Sequence, residues 1–245
     1  MIHTGLSAII IGNEVLTAKV VEANGSHLVR RCRERGVRLA SVHVIPDEVD
    51  CIVETLALAR RRARFVVTSG GVGPTHDDVT VRAVALALGR KIVSSPRLVE
   101  LLRAGWKDGE LPAAALRMAE APEGSELVES KDAGYPVLMC DRVFMLPGVP
   151  EFFRAQLEAV LQQLPGDPVT LRNLYLRARE SDIARTLDAI AMAMPHVAFG
   201  SYPTFDPSLD HLVKITIEHG DARQVEAAAA RLRAELPGEV LVRED

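Results

Sequence analysis

The sequence predicts an α/β protein: a doubly wound, mostly parallel sheet, followed by a smaller α+β domain of ferredoxin-like βαββαβ order. Three observations predict it. Up to about Leu164, short apolar runs alternate with stretches of helical period. Pro165-Gly166-Asp167-Pro168 then interrupts the pattern as a cluster of structure breakers. Behind it, six elements follow as strand, helix, strand, strand, helix, strand. The expected domains are residues 1–164 and 169–245, a division that a chain of 245 residues can support.

Element by element, Leu6–Ile11 is an apolar run closed by Gly12 and reads as a buried strand. Val20 to Arg35 carries Val20, Val21, Leu28, Val29 and Cys32 at helical spacing, with Gly36 as its stop. Val37–Ile45 alternates as a strand. Asp47-Glu48 opens a helix that ends at Arg60-Arg61-Arg62, acid first and base last, as the helix dipole favours. Phe65–Thr68 is the next strand, and a glycine-rich loop follows before a helix from about Thr80 to Leu88. Helical stretches are expected over roughly Arg97–Ala104 and Pro112–Ala119. Val137–Cys140 and Val143–Leu146 form a strand pair turned at Asp141-Arg142. Pro150 suits the first position of a long helix reaching Leu164, with Glu151 behind it. In the second domain the strands are Thr170–Arg177, Val197–Ser201, Leu212–Glu218 and Val240–Val242, and the helices Ser181–Met194 and Ala222–Leu236.

Composition narrows the function classes. Apolar residues make up 48% and charged residues 25%, which is globular composition and excludes a disordered chain. No uninterrupted apolar stretch is long enough to span a bilayer, so no membrane partner is expected. Residues 1–4, Met-Ile-His-Thr, lack the cationic and apolar regions of a secretory signal, and a cytoplasmic location is expected. A formal charge of −4 without basic blocks argues against nucleic acid. Cys32, Cys51 and Cys140 show no metal-binding spacing and read as free thiols.

The segment Thr68 to Thr80 carries the chemistry. Gly70, Gly71 and Gly73, at a strand end and before a helix, can expose successive backbone N–H groups as an anion-binding concavity. The absence of a following Lys excludes a Walker loop, and the spacing is not that of a dinucleotide-binding fingerprint. Asp77 and Asp78 would repel a phosphate held there unless a Mg²⁺-like cation bridged them. The pair therefore points to a metal–phosphate site, with one Asp on the cation and one on the backbone. Helix capping is the simpler role for either Asp taken alone. His76 reads as solvent-facing, and Arg117 as an exposed helical arginine.

These residues resemble a known family. Thr68-Ser69-Gly70-Gly71-Val72-Gly73-Pro74-Thr75-His76-Asp77-Asp78-Val79-Thr80 is similar to the signature loop of the molybdopterin-binding (MoaB/Mog-like) fold, and in particular to the N-terminal domain of the CinA family. Gly12-Asn13-Glu14 with Glu22-Ala23-Asn24 resembles that family's opening motif, and Pro46-Asp47-Glu48 its second acidic loop. Pro147-Gly148-Val149-Pro150 resembles its Pro-Gly-x-Pro helix start. Phe199-Gly200-Ser201-Tyr202-Pro203 is similar to a stretch of the molybdopterin-binding-like domain of eukaryotic FAD synthases. Three departures stand out: Asn13 replaces an Asp, Ala18 replaces a Gly, and Lys131–Pro136 stands where the family has a Gly-rich loop, at a place expected to touch the ligand.

The resemblance implies a phosphate-bearing small-molecule ligand, either a dinucleotide or a pterin. In one branch that ligand is molybdopterin. In the other, the implied activity is divalent-metal-dependent hydrolysis of a pyrophosphate such as ADP-ribose or FAD. Asp78 and Asp47 would then hold Mg, Mn or Co, with Asp78, Asp77 and Glu14 as the catalytic residues, Asp77 or Glu14 accepting a proton from water. Ser69, Gly70, Gly71, Gly73, Thr75 and Gly148 would bind phosphate or ligand edges. With the chain ending at Asp245, the amidohydrolase activity of longer CinA proteins is not expected. A homo-oligomer is expected from the family. Two alternatives remain open: a binding module without hydrolysis, and a regulatory homologue that has lost its ligand.

Overall fold

A computed structural model describes residues 5–106, 111–131, 133–236 and 239–245. The N-terminal residues 1–4 read for a signal, and Asp132 of the departing loop, lie outside these. The chain divides into two compact units, Met1–Gly166 and Asp167–Asp245.

In the first unit the elements are β1 (Leu6–Ile11), α1 (Asn13–Leu16), α2 (Asn24–Glu34), β2 (Leu39–Ile45), α3 (Val49–Arg62), β3 (Phe65–Ser69), α4 (Thr80–Ala87), β4 (Ile92–Ser94), α5 (Pro96–Gly105), a 3-10 turn (Ala115–Ala119), β5 (Glu120–Pro122), β6 (Glu126–Val128), β7 (Val137–Cys140), β8 (Val143–Leu146) and α6 (Pro150–Leu161). Six strands form one sheet in the order β2-β1-β3-β8-β7-β6. The first four run parallel, and β7 and β6 close it antiparallel. This is the expected doubly wound, mostly parallel sheet.

The period of two explains why these segments are central strands. Leu6 and Ala8 of β1, Val67 of β3, and Phe144 and Leu146 of β8 point to one face, where they meet Leu28 and Cys32 of α2 and Phe153 and Leu157 of α6. Ile9 and Ile11, Val66, Val143 and Met145 point to the other, against Ile52 and Leu56 of α3 and Ala83 and Val84 of α4. Both faces are covered, so β1 and β8 are buried at every position. Their continuous apolar runs record that double burial. Burial pushes the Cys32 thiol up to about 11, which suits an inert core position. None of the three cysteines is paired.

Three local expectations change. The helix expected from Val20 begins at Asn24, because the Glu22 carboxylate accepts from the Gly25 and Ser26 N–H groups and caps the first turn there. Val21 is consequently 87% exposed. The helix expected over Pro112–Ala119 is a 3-10 turn limited to its last five residues, and it leads into β5, which pairs with β4. Helix α6 ends at Leu161 rather than Leu164. The turn at Asp141-Arg142 holds, with both residues at positive φ (47° and 66°), as a two-residue hairpin requires.

The second unit contains β9 (Thr170–Leu176), α7 (Glu180–Ala193), β10 (Ala198–Pro203), β11 (Val213–His219), α8 (Ala222–Glu235) and β12 (Leu241–Glu244). Its sheet has the order β10-β11-β9-β12 and is antiparallel throughout. Numbered within the unit, that order is 2-3-1-4, the split βαβ arrangement. Leu174, Leu176, Ile215 and Ile217 share the face covered by Ile183 and Ile190 of α7 and Val225 and Ala229 of α8.

The hairpin and the α2–α6 contact can each be tested by one substitution. Arg142→Gly relieves a left-handed backbone in a side-chain-bearing residue and leaves Asp-Gly, the preferred turn pair. Stability should rise by about 0.5–1 kcal/mol in urea denaturation. Glu158 of α6 accepts from the Arg31 Nε and Nη2 of α2 at 2.7 and 2.8 Å, and this pairing holds its carboxyl below the usual value. The stabilisation is complete above the ordinary glutamate value of 4.5 and is lost as pH falls through the depressed one. Glu158→Gln should therefore cost about 1 kcal/mol at pH 7, with wild type and variant converging in acid.

Candidate functional site

Strand β3 ends at Ser69, and the chain must then leave the sheet between its neighbours. Gly70 makes this possible. It adopts φ +103°, and a Cβ there would stand 2.2 Å from the Ile11 carbonyl oxygen at the end of β1. On its other side the Gly70 N–H donates to the Leu146 carbonyl at the end of β8, at 3.0 Å. Gly148 passes so close that a Cβ on it would meet the Gly70 Cα at 3.3 Å. Asn24, buried at the start of α2, donates from Nδ2 to both Ser69 Oγ (2.9 Å) and the Gly148 carbonyl (2.8 Å). Ser69 Oγ in turn donates to the Pro147 carbonyl.

Thr80 secures the far end of the loop. Its hydroxyl donates to the Gly70 carbonyl at 2.8 Å and its N–H to the Gly71 carbonyl at 2.9 Å. Gly71 has φ +67°, and a Cβ there would collide with the Thr80 hydroxyl at 2.3 Å. At Gly73 a Cβ would lie 2.6 Å from Asp78 Oδ2, so the Asp78 carboxylate lies over the loop backbone. That oxygen accepts from the Thr75 N–H at 2.8 Å and the Thr75 hydroxyl at 2.5 Å. Among the described residues, no hydrogen bond uses the N–H groups of Gly71, Val72 or Gly73.

Gly71, Val72, Gly73 and Asp78 form one wall of a pocket of about 270 Å³ at the carboxyl ends of β3 and β8. Apolar side chains supply much of the remainder, among them Leu98, Met118, Leu138, Met145 and Phe152. Five further polar residues line it: Arg82, Arg117, Glu120 and Gln156, which sequence reasoning did not place there, and Tyr135 of the loop Lys131–Pro136, which it did. Arg117, read as an exposed helical arginine, donates to the Thr75 carbonyl at 3.4 Å, and Arg82 pairs with Glu120 at 3.3 Å. Burial pushes the Tyr135 hydroxyl up to about 12, and it donates to the Met118 carbonyl. A usable signal for part of this set was the spacing of Phe152 and Gln156, one helical turn apart just behind Pro147-Gly148-Val149-Pro150.

The structure thus brings together Gly71, Gly73 and Asp78, with Thr75 bracing Asp78 from behind. Ser69, Gly70 and Gly148 form the crossing beneath the loop and do not line the pocket. For Gly70 this is a correction, because an N–H donating to Leu146 is not available to a phosphate. Asp77 and His76 are exposed, 3.8 Å from each other. The Glu14 carboxylate lies against Gly12, where a Cβ would meet it at 2.4 Å, and Asp47 accepts a hydrogen bond from Asn13 Nδ2. Neither Glu14 nor Asp47 lines the pocket. Among the described residues, no three His, Cys, Asp or Glu side chains are grouped so as to hold a metal ion. None of the described helices is long and apolar enough to cross a membrane.

Comparison with known proteins gives these features a family. Residues 7–166 match the family described as "Probable molybdopterin binding domain", and residues 168–245 match "FAD synthase, middle domain". A protein of Aeropyrum pernix is 31% identical over 244 residues, covering 95% of this chain and 91% of its own length. A CinA-like protein of Myxococcus xanthus is 30% identical, covering 91% of this chain, which spans only 56% of that longer protein. Among solved structures, the protein CinA of unknown function from Thermoplasma acidophilum superposes with a TM-score of 0.60 at 28% identity. That match covers 65% of this chain and 97% of the other. The chain therefore belongs to the molybdopterin-binding (MoaB/Mog-like) domain family and has CinA-like proteins among its homologues.

Proposed function

We propose that the pocket beneath the glycine loop binds a pyrophosphate-linked nucleotide of the ADP-ribose or FAD class, and that the protein hydrolyses that linkage in the presence of Mg, Mn or Co. One observation carries the binding reading. Three consecutive residues with uncommitted N–H groups, Gly71, Val72 and Gly73, stand beside Asp78 on the rim of an apolar pocket. Backbone donors of this kind take phosphate oxygens, and the apolar walls suit the organic part of a nucleotide. Arg117 adds positive charge on the same wall.

The residues present fit a metal only in a limited way. Asp78 has one carboxylate oxygen committed to Thr75, leaving the other to a cation. A single carboxylate together with ligand phosphates is a common setting for Mg²⁺, whereas a cation resident in the ligand-free protein would need more ligands. Held there, the cation would neutralise phosphate charge. Gly71 to Gly73 would orient the phosphate through their N–H groups, Thr75 would fix the Asp78 rotamer, and the apolar walls would exclude bulk water.

A second reading, binding without hydrolysis, is favoured by the placement of two acids. Glu14 and Asp77, expected as proton acceptors, lie outside the pocket lining. Molybdopterin, whose pterin carries a terminal phosphate, would satisfy the same donors. The two readings separate in one assay. Incubation of the full chain with ADP-ribose or FAD and each cation should release AMP, and Asp78→Asn should lower that rate at least tenfold. Wild-type protein that binds these compounds yet releases no AMP with any cation would leave binding alone.

A further inference from the structure

The pocket contains a polar group that neither a phosphate nor a cation uses. Gln156 lies on α6, lines the pocket and is only 5% exposed. Its Nε2 donates to the Tyr135 carbonyl at 3.2 Å, while its Oε1 is buried and has no hydrogen-bond partner among the described residues. The Nε2 bond also sets which way the amide faces, because the flipped amide would bring two acceptor oxygens together. Gln156 therefore keeps an unpaired acceptor just inside the pocket wall, with essentially no accessible surface in the ligand-free chain, and a buried acceptor without a donor is an unfavourable arrangement that a ligand displacing the wall can relieve.

The other groups nearby do not supply that donor. The Tyr135 hydroxyl donates to the Met118 carbonyl, and Arg82 and Arg117 are engaged with Glu120 and the Thr75 carbonyl. Much of the remaining lining is apolar: Leu98, Met118, Leu138, Met145 and Phe152. A flat, largely apolar ring carrying an N–H group at its edge fits this lining.

We propose that Gln156 is the specificity-determining residue of the pocket. Its Oε1 accepts a hydrogen bond from an N–H donor on the ligand's heterocycle, an exocyclic amino group or a ring imide, while the phosphates lie at Gly71–Gly73. This rests on the phosphate-ligand reading above and adds how the ring is chosen. A site that hydrogen-bonds a ligand N–H discriminates against an otherwise identical ligand lacking it, because its own buried acceptor is then left unpaired.

Calorimetric titration of the full chain with matched ligands tests this. AMP and purine riboside 5′-monophosphate differ only in the 6-amino group. FMN and its N3-methyl derivative differ only in the imide N–H, so the two pairs separate an adenine from a flavin source. Wild type should prefer the donor-bearing member of one pair by about tenfold. Gln156→Met should abolish that preference by weakening the donor-bearing ligand and leaving its partner unchanged. No preference in either wild-type pair, no binding by any of the four ligands, or a preference that survives in Gln156→Met overturns the proposal. The wild-type comparison stands even if the variant misfolds. Competition by inorganic pyrophosphate tests the phosphate reading separately. Ring discrimination without such competition upholds Gln156 and sinks the loop as the phosphate site, and competition without discrimination does the reverse.

Discussion

The site depends on a close backbone crossing. At the end of β3, Gly70 passes between the Ile11 carbonyl on β1 and the chain leaving β8, at separations that leave no room for a side chain. Its N–H continues the pairing with β8 through Leu146, and its carbonyl is held by the Thr80 hydroxyl. Asn24 ties Ser69 to Gly148 across the same point. The last residue of one strand, the opening loop of α6 and the first turns of α2 and α4 are thereby fixed to one another. A methyl group at Gly70 would force β1 and β3 apart at the end of the sheet where the pocket lies.

The crossing also shapes the loop beyond it. With Gly70 and Thr80 pinned, the intervening chain bulges away from the sheet, and Gly71, Val72 and Gly73 are left with N–H groups that no other part of the described chain takes up. Thr75 then draws the Asp78 carboxylate back over Gly73, which places one negative group at the edge of the donor row. Helix α6 begins at Pro150, two residues after Gly148, and carries Phe152 and Gln156 into the pocket lining. The rigid parts are the sheet and its two helical layers, and the chemistry is on the loops between them, as open α/β sheets favour.

Much of the fold was legible in the sequence because burial on both faces leaves a simple mark. The unbroken apolar runs Leu6–Ile11 and Val143–Leu146 are central strands, and the strand–helix order behind Pro168 is the topology of the second unit. Elsewhere tertiary context or capping decided. Val20 and Val21 have helical spacing but no core to meet, since Glu22 starts the helix after them. The segment before Glu120 has the composition of a helix, yet its 3-10 turn ends at a residue whose carbonyl accepts from Ser95, and β5 then pairs with β4. In the site, the grouping of Gly71, Gly73 and Asp78 at the pocket was legible because they are close neighbours in sequence. A sequence pattern does not show which of three glycine N–H groups the sheet has already claimed, so Gly70 was misassigned. Arg117, Tyr135 and Gln156 come from segments distant in sequence and meet the loop only through the folded sheet.

The proposed function requires that the Gly71–Gly73 backbone, and not the crossing beneath it, receives a phosphate-bearing ligand. Titration of isotope-labelled protein with ADP-ribose, followed through backbone amide resonances, measures this directly. The amide protons of Gly71, Val72 and Gly73 should move downfield and saturate together, while that of Gly70, bonded to Leu146, stays in place. Saturable shifts confined to other regions, with these three amides unmoved, would contradict it.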